Sequence, residues 1–364
     1  MDISKKTQEQ KAGDNSSQYQ QIGDNSNQTI IENQTNNVTI TGPGLPDVVS
    51  FTTTVSTQVT AQALNLCTQV SKDICKQKMD IFGSIWIPRI THIENVVNHL
   101  IDPKFQFMIR DANISAAKSS RQEDLEMLTQ LLVCHIEKGS DMKKDTGINK
   151  AIQIVNEVDY DALCGLTCVA TLLHISPSSP SVNVGLQILD ELYSKLLFTE
   201  LPKGDRWIDH IDVLGAVSIR TGHFYKLKKI LSDHYDGYVC IGIQEGSEGH
   251  EKAKEILVNH NYDLNCLIPN ECLPGYLRIT CVRKENIKSE LKPIFDLYSN
   301  DRNLLEQAQT TFMEKWDSYN NLKKIREWFE DIPLWFRITS VGFALAQTNA
   351  KRCFPDFPDI IIGW

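Results

Sequence analysis

The 364-residue chain has no stretch of about 18 uninterrupted apolar residues, and its opening, MDISKKTQEQKAGDNS, has no apolar core of the signal-peptide kind. A spanning helix and a secretory leader are therefore not expected, and the chain reads as cytoplasmic. Excess positive charge is lacking too: 37 Lys and Arg stand against 46 Asp and Glu, for a net charge of −9. That balance argues against a protein whose main work is coating nucleic acid or anionic lipid. Also missing are G-x-x-x-x-G-K-[ST], H-E-x-x-H, G-x-S-x-G and G-x-G-x-x-G, so the common nucleotide, zinc-protease, hydrolase and dinucleotide readings lose their support. There are ten cysteines, but without an export signal they read as reduced thiols. The closest pairs, Cys164 with Cys168 and Cys266 with Cys272, have no second pair at zinc-site spacing.

What is present is most distinctive at the start. Gln, Asn, Ser and Thr fill 22 of the first 41 positions, which by composition alone suggests disorder. A ten-residue repeat changes that reading: KAGDNSSQYQ, QIGDNSNQTI and IENQTNNVTI follow one another from residue 11, with Gly-Asp-Asn-Ser at Gly13 and again at Gly23. Gly and Asn tolerate positive φ, so each motif suits a turn between extended pieces. One copy of so polar a ribbon buries too little to stand alone. Residues 11–41 are thus expected to form a β oligomerisation element with Ile22, Ile30, Ile31, Val38 and Ile40 facing inward.

Two glycines and two prolines in Thr41–Pro46 mark a hinge. Beyond it, Val48, Phe51, Val55, Val59, Ala63, Leu66, Val70 and Ile74 recur every three or four residues, which predicts a long helix from about 47 to 82. Val55, Val59 and Leu66 join the candidate oligomerisation residues. Helices are then expected at 102–117, after the Ser120-to-Glu123 capping box, at 148–157, at 160–175 and at 184–199. After Asp205 the pattern is mixed: helices at 207–219, 224–233, 250–259 and 301–331, strands at 238–243 and 276–282, and an apolar strand at 359–364. The expected fold is mainly α: a repeat segment at 1–41, a hinge at 42–46, a helical domain at 47–200 and a small α+β domain at 201–364.

The Gly-Asp-Asn-Ser repeats, Leu100-Ile-Asp-Pro-Lys104, Ala112–Ala117 and Ile338-Thr-Ser-Val-Gly-Phe-Ala-Leu-Ala346 together resemble a family of uncharacterised bacterial proteins that joins an Asn/Gly-rich repeat to a helical body. The resemblance implies no catalytic motif and, by analogy, a place in anti-phage or stress responses. Locally, Ile338–Ala346 also resembles the helix before the wing in winged-helix domains.

No cofactor or metal is implied. Arg206, Asp209, His210, Arg220, His223 and His234 are the nearest thing to a catalytic group, but His210, three residues after Trp207, is more simply an amphipathic helix position, and Asp209 a solvated face. Basic residues recur at Lys226, Lys228 and Lys229, and at Arg278, Arg283, Lys284 and Lys288; the last four are candidate nucleic-acid contacts. The function expected is a non-enzymatic homo-oligomeric scaffold or sensor whose body recognises another protein. The alternatives are nucleic-acid binding through the C-terminal part, or a membrane-disrupting or hydrolytic effector.

Overall fold

A computed structural model describes residues 18–20, 29–31, 50, 53, 54, 58, 69–94, 96–138, 142–220 and 226–360. It is mainly helical, and it divides into two compact units, one up to Asn113 and one from Ile114 onward. The division falls inside a helix rather than at residue 200. Residue 200 is no boundary because helices from either side of it pack together, as shown below.

In the first unit, strands β1 (Gln18–Gln20) and β2 (Thr29–Ile31) pair antiparallel, with Tyr19 opposite Ile30. Backbone at Ser50, Thr53, Thr54 and Gln58 is helical, and the Thr54 hydroxyl donates to the Ser50 carbonyl at 2.8 Å. Helix α1 (Gln69–Thr91) runs nine residues past the expected end and carries Pro88 inside its last turn. Short α2 (Val96–Leu100) follows. Then α3 (Pro103–Lys118) starts on Pro103, which has no N–H to leave unpaired.

The second unit is a helical bundle. Helix α4 (Gln122–Lys138) is led in by Ser119 rather than Ser120: the Ser119 hydroxyl accepts from Arg121 N and donates to Asp124 Oδ2 at 2.5 Å. Next come α5 (Met142–Ile154), α6 (Tyr160–His174) and α7 (Val182–Leu196), the last capped by the Ser181 hydroxyl on Val184 N. Helix α8 (Arg206–Val213) is shorter than expected. Gly215, at φ 75°, turns the chain into strand β3 (Val217–Ile219). Helix α9 is Leu227–His234.

A small α+β part follows, with strands β4 (Ile243–Gln244), β5 (Leu267–Pro269) and β6 (Tyr276–Ile279) in the antiparallel order β4-β6-β5. The two expected strands therefore do share a sheet, with Ile243 opposite Leu277. Only the end of the first is extended, since Tyr238–Ile241 is buried irregular chain. Its Cys240 and Ile241 carbonyls accept from Asn270 Nδ2 at 2.7 and 3.0 Å. Helix α10 (Glu248–Asn259) and the 3₁₀ segment Ser289–Leu297 close one apolar cluster with the sheet, built on Ile243, Leu257, Ile279 and Ile294.

The predicted helix 301–331 is two helices, α11 (Arg302–Asp317) and α12 (Asn320–Glu330). The second start is fixed by Asp190 of α7, which accepts from Asn321 N at 2.9 Å and Leu322 N at 3.3 Å. That contact joins the two sides of residue 200. After Pro333 the chain forms β7 (Phe336–Ile338), paired with β3, and then α13 (Ser340–Cys353). Helix α13 packs against α4, α5 and α6 and is buried nearly all round, from Val341 to Ala350. Gly147 allows α5 to approach: a Cβ there would lie 2.7 Å from the Ser340 carbonyl. Thr339 caps the helix on Gly342 N, and among the described residues no strand follows it as the wing of a winged-helix domain would. Residues 361–364 of the expected terminal strand lie outside the described residues.

Candidate functional site

Two places in the structure combine exposure with chemistry. The first is α1. At 100° per residue, Met79, Phe82, Trp86 and Ile90 fall on one side of the helix, and all four are buried. Val70, Ile74 and Ile81 fall on the opposite side, and they are 68%, 48% and 45% exposed. Single exposed apolar residues are ordinary; three in one row, opposite a buried face, form a second apolar stripe. Asp73, Lys76 and Asp80 flank it beside a shallow groove.

Of the expected oligomerisation residues, Ile30 and Ile31 lie in β2. Ile22, Val38, Ile40, Val55, Val59 and Leu66 lie outside the described residues.

The candidate nucleic-acid contacts are not one surface. Arg278 is fully buried, which corrects the reading of it as a phosphate contact: its guanidinium donates to the carbonyls of Gly237 (3.3 Å), Cys281 (3.2 Å) and Pro180 (2.5 Å). Arg283 pairs with Glu285 at 2.9 Å. Lys284 Nζ sits 5.5 and 5.6 Å from the ring centres of Phe295 and Tyr298, and Lys288 Nζ 5.3 Å from that of Tyr262. These cations cover aromatic rings of the small α+β part. Helix α13, being core, offers no reading face.

The Arg/His group is dispersed as well. His210 Nε2 accepts from Asp159 N at 3.3 Å, at the start of α6. His223 lies outside the described residues. His234 Nε2 is 3.2 Å from both the Ile175 carbonyl and the Ser176 hydroxyl. With that nitrogen protonated it donates to the carbonyl and is no base for Ser176. Burial holds the His234 ring below the ordinary imidazole range, with Arg283 and His174 adding to the effect and the Ile175 carbonyl opposing it. Cys164 and Cys168 are buried on α6 as free thiols. Among the described residues no group of three His, Cys, Asp or Glu is placed to hold a metal ion.

The second place is a cleft of about 470 Å³ in the second unit, between residues 200–204 and α12. Its wall is Trp328, which donates from Nε1 to the Pro202 carbonyl at 2.7 Å and packs against Trp207 with ring centres 5.9 Å apart and planes tilted by 35°. Trp207 in turn meets Phe336 edge-on at 5.6 Å. Gly165 of α6 makes room for this arrangement, since a Cβ there would lie 2.8 Å from Pro202 Cγ and 3.2 Å from Trp328 Cζ2. Glu200, Lys203, Lys324 and Asp331 also line the cleft, and all four are exposed. Sequence reasoning missed it. Trp207 reads as a helix position, and nothing local ties 200–207 to 324–332.

Fold and surfaces thus define a mainly helical protein with an outward apolar helix face and an aromatic-walled cleft. A family model, that of a domain of unknown function, matches residues 51–362, and the chain belongs to that family. No curated protein and no solved structure matches it. No described helix is long and apolar enough to cross a membrane.

Proposed function

We propose that this protein is a non-enzymatic homo-oligomeric scaffold or sensor, assembled through α1 and the N-terminal repeat, whose body engages another protein. The observation that carries this reading is the row Val70, Ile74 and Ile81, set opposite the buried face of α1. Burying such side chains between copies is worth roughly 1.5–3 kcal/mol each. In the sequence, Leu66, Val59 and Val55 precede Val70 at the spacing of a helical period. Asp73, Lys76 and Asp80 give both signs of charge beside it, which suits a second copy of the same helix. A role in anti-phage or stress response rests on the family resemblance alone.

Light scattering tests the reading on three forms: the full chain, Ile74→Asp/Ile81→Asp, and a version starting at Gly44. A defined oligomer that falls to fewer subunits in the double variant supports assembly through α1, and a fall on truncation supports the repeat. An unchanged subunit number in both overturns the proposal.

A further inference from the structure

We propose that the cleft between residues 200–204 and α12 binds a planar aromatic anion of the nucleotide class, its ring on Trp328 and its phosphate held by Lys203 and Lys324. The inference goes beyond the assembly reading and stands apart from it, because every residue it uses lies in the second unit.

Four observations converge. Trp328 is half-buried and locked, by its bond to Pro202 on one edge and by the Trp207 ring, which also lines the cleft, 5.9 Å away. A rigid aromatic wall open to a cleft is a stacking platform that loses little freedom when a ring settles on it. Lys203 and Lys324 reach the same cleft from different segments, and among the described residues neither forms an ion pair, although Lys323 beside Lys324 pairs with Glu327 and Arg326 is held by Asp317 and Glu330. Unpaired ammonium groups beside an aromatic platform supply what a phosphate and a base require together. Glu200 and Asp331, which also form no ion pair among the described residues, are acceptors for ring amino groups or sugar hydroxyls. A volume of about 470 Å³ lies within the roughly 300–1,000 Å³ of small-molecule sites. An apolar peptide would leave both lysines without a partner, and a bare phosphate would leave the Trp328 face unused.

The test is calorimetry on the full chain with AMP, GMP, CMP and UMP, and with adenosine and inorganic phosphate alone. It is repeated on Lys203→Glu/Lys324→Glu and on the single Lys203→Ala and Lys324→Ala variants. The expected result is saturable binding of at least one nucleotide, weakened by raised salt, at least tenfold weaker in the charge-reversed variant and several-fold weaker in each alanine variant. The lysines are exposed, so circular dichroism should show an unchanged fold; if charge reversal disturbs it, the alanine variants decide. The inference is overturned if no nucleotide binds up to millimolar concentration, if phosphate alone binds as tightly, or if the lysine variants bind as the parent does.

Discussion

Arg278 and Glu271 meet with Nη2 3.2 Å from Oε2, and through that contact a fully buried cation is tied to the start of a helix far from it in sequence. The same carboxylate accepts from Val182 N at 2.6 Å and from the Ser181 hydroxyl at 2.8 Å, so Glu271 caps α7 from outside. With Arg278 also bonded to the Gly237, Cys281 and Pro180 carbonyls, the two side chains fasten the small α+β part to the helical bundle. Arg278 is structural for this reason.

Glu271→Ala should therefore lose about 2–4 kcal/mol, because it strips one partner from a buried charge and uncaps α7; Glu271 keeps 22% of its side-chain surface, which holds the figure below the upper limit for fully buried pairs. Chemical denaturation measures it. A loss below about 0.5 kcal/mol would show that the contact carries nothing.

The same residue gives an acid response. Burial raises the Glu271 pKa, but the hydrogen bonds from Val182, Ser181 and Asn183 and the charge of Arg278 outweigh it and leave the carboxyl below the usual glutamate range. A depressed folded pKa adds stability that is present above the unfolded value and lost as pH falls through the folded one. Unfolding midpoints measured downward from pH 5 should fall less steeply for Glu271→Gln than for the parent.

Two histidines act nearer neutrality. Burial, with Arg283 nearby, lowers the pKa of His174, and His234 is lowered for the same first reason. Both are held neutral in the fold, so stability is full above the unfolded value near 6.5 and declines as pH drops from there towards the folded values. The His174→Asn/His234→Gln pair should flatten the stability curve between pH 7 and 5. Parallel curves for parent and variant would refute the assignment.

Gly342→Ala tests the joint between α13 and β3. The added methyl would overlap the Ala216 carbonyl and lie 2.8 Å from Ile338 Cγ2, while Thr339 holds that same carbonyl at 2.9 Å and cannot let the helix slide. A loss of at least about 2 kcal/mol is expected in thermal or denaturant unfolding. Gly204→Ala, by contrast, meets open space and is opposed only by its φ of 73°, so about 1 kcal/mol is expected there.

Trp86 is fully buried, and its Nε1 has no hydrogen-bond partner among the described residues. Trp86→Phe removes that unsatisfied donor, which offsets much of the lost packing, so its stability should stay within about 1 kcal/mol of the parent; Phe82→Ala should lose about 3–5 kcal/mol. Equal losses in the two variants would contradict the unsatisfied-donor argument.

The sequence is legible where structure is local. Pro103, Ser181 and Ser247 announce α3, α7 and α10 by their own chemistry, and the periodic core positions follow from them. Gly215 is a local stop signal inside the expected 207–219 helix, and the structure uses it as one. The break between α11 and α12 depends on Asp190, distant in the chain, and no local pattern marks it. Arg278 looks like a surface base because its acceptors are carbonyls at 180, 237, 279 and 281, groups every residue has and no sequence pattern distinguishes. The cleft is hidden for a related reason: Trp207 and Trp328 come together only through tertiary packing.

Helix α13 occupies the middle of the second unit, yet it is translated after every other described helix there. At roughly 5–20 residues per second, α4, α5 and α6 leave the ribosome some ten seconds or more before the segment that seals them. During that interval their inner faces, among them Leu128, Leu131, Ile152 and Leu166, have no permanent covering, and a holding chaperone has a defined window in which to act.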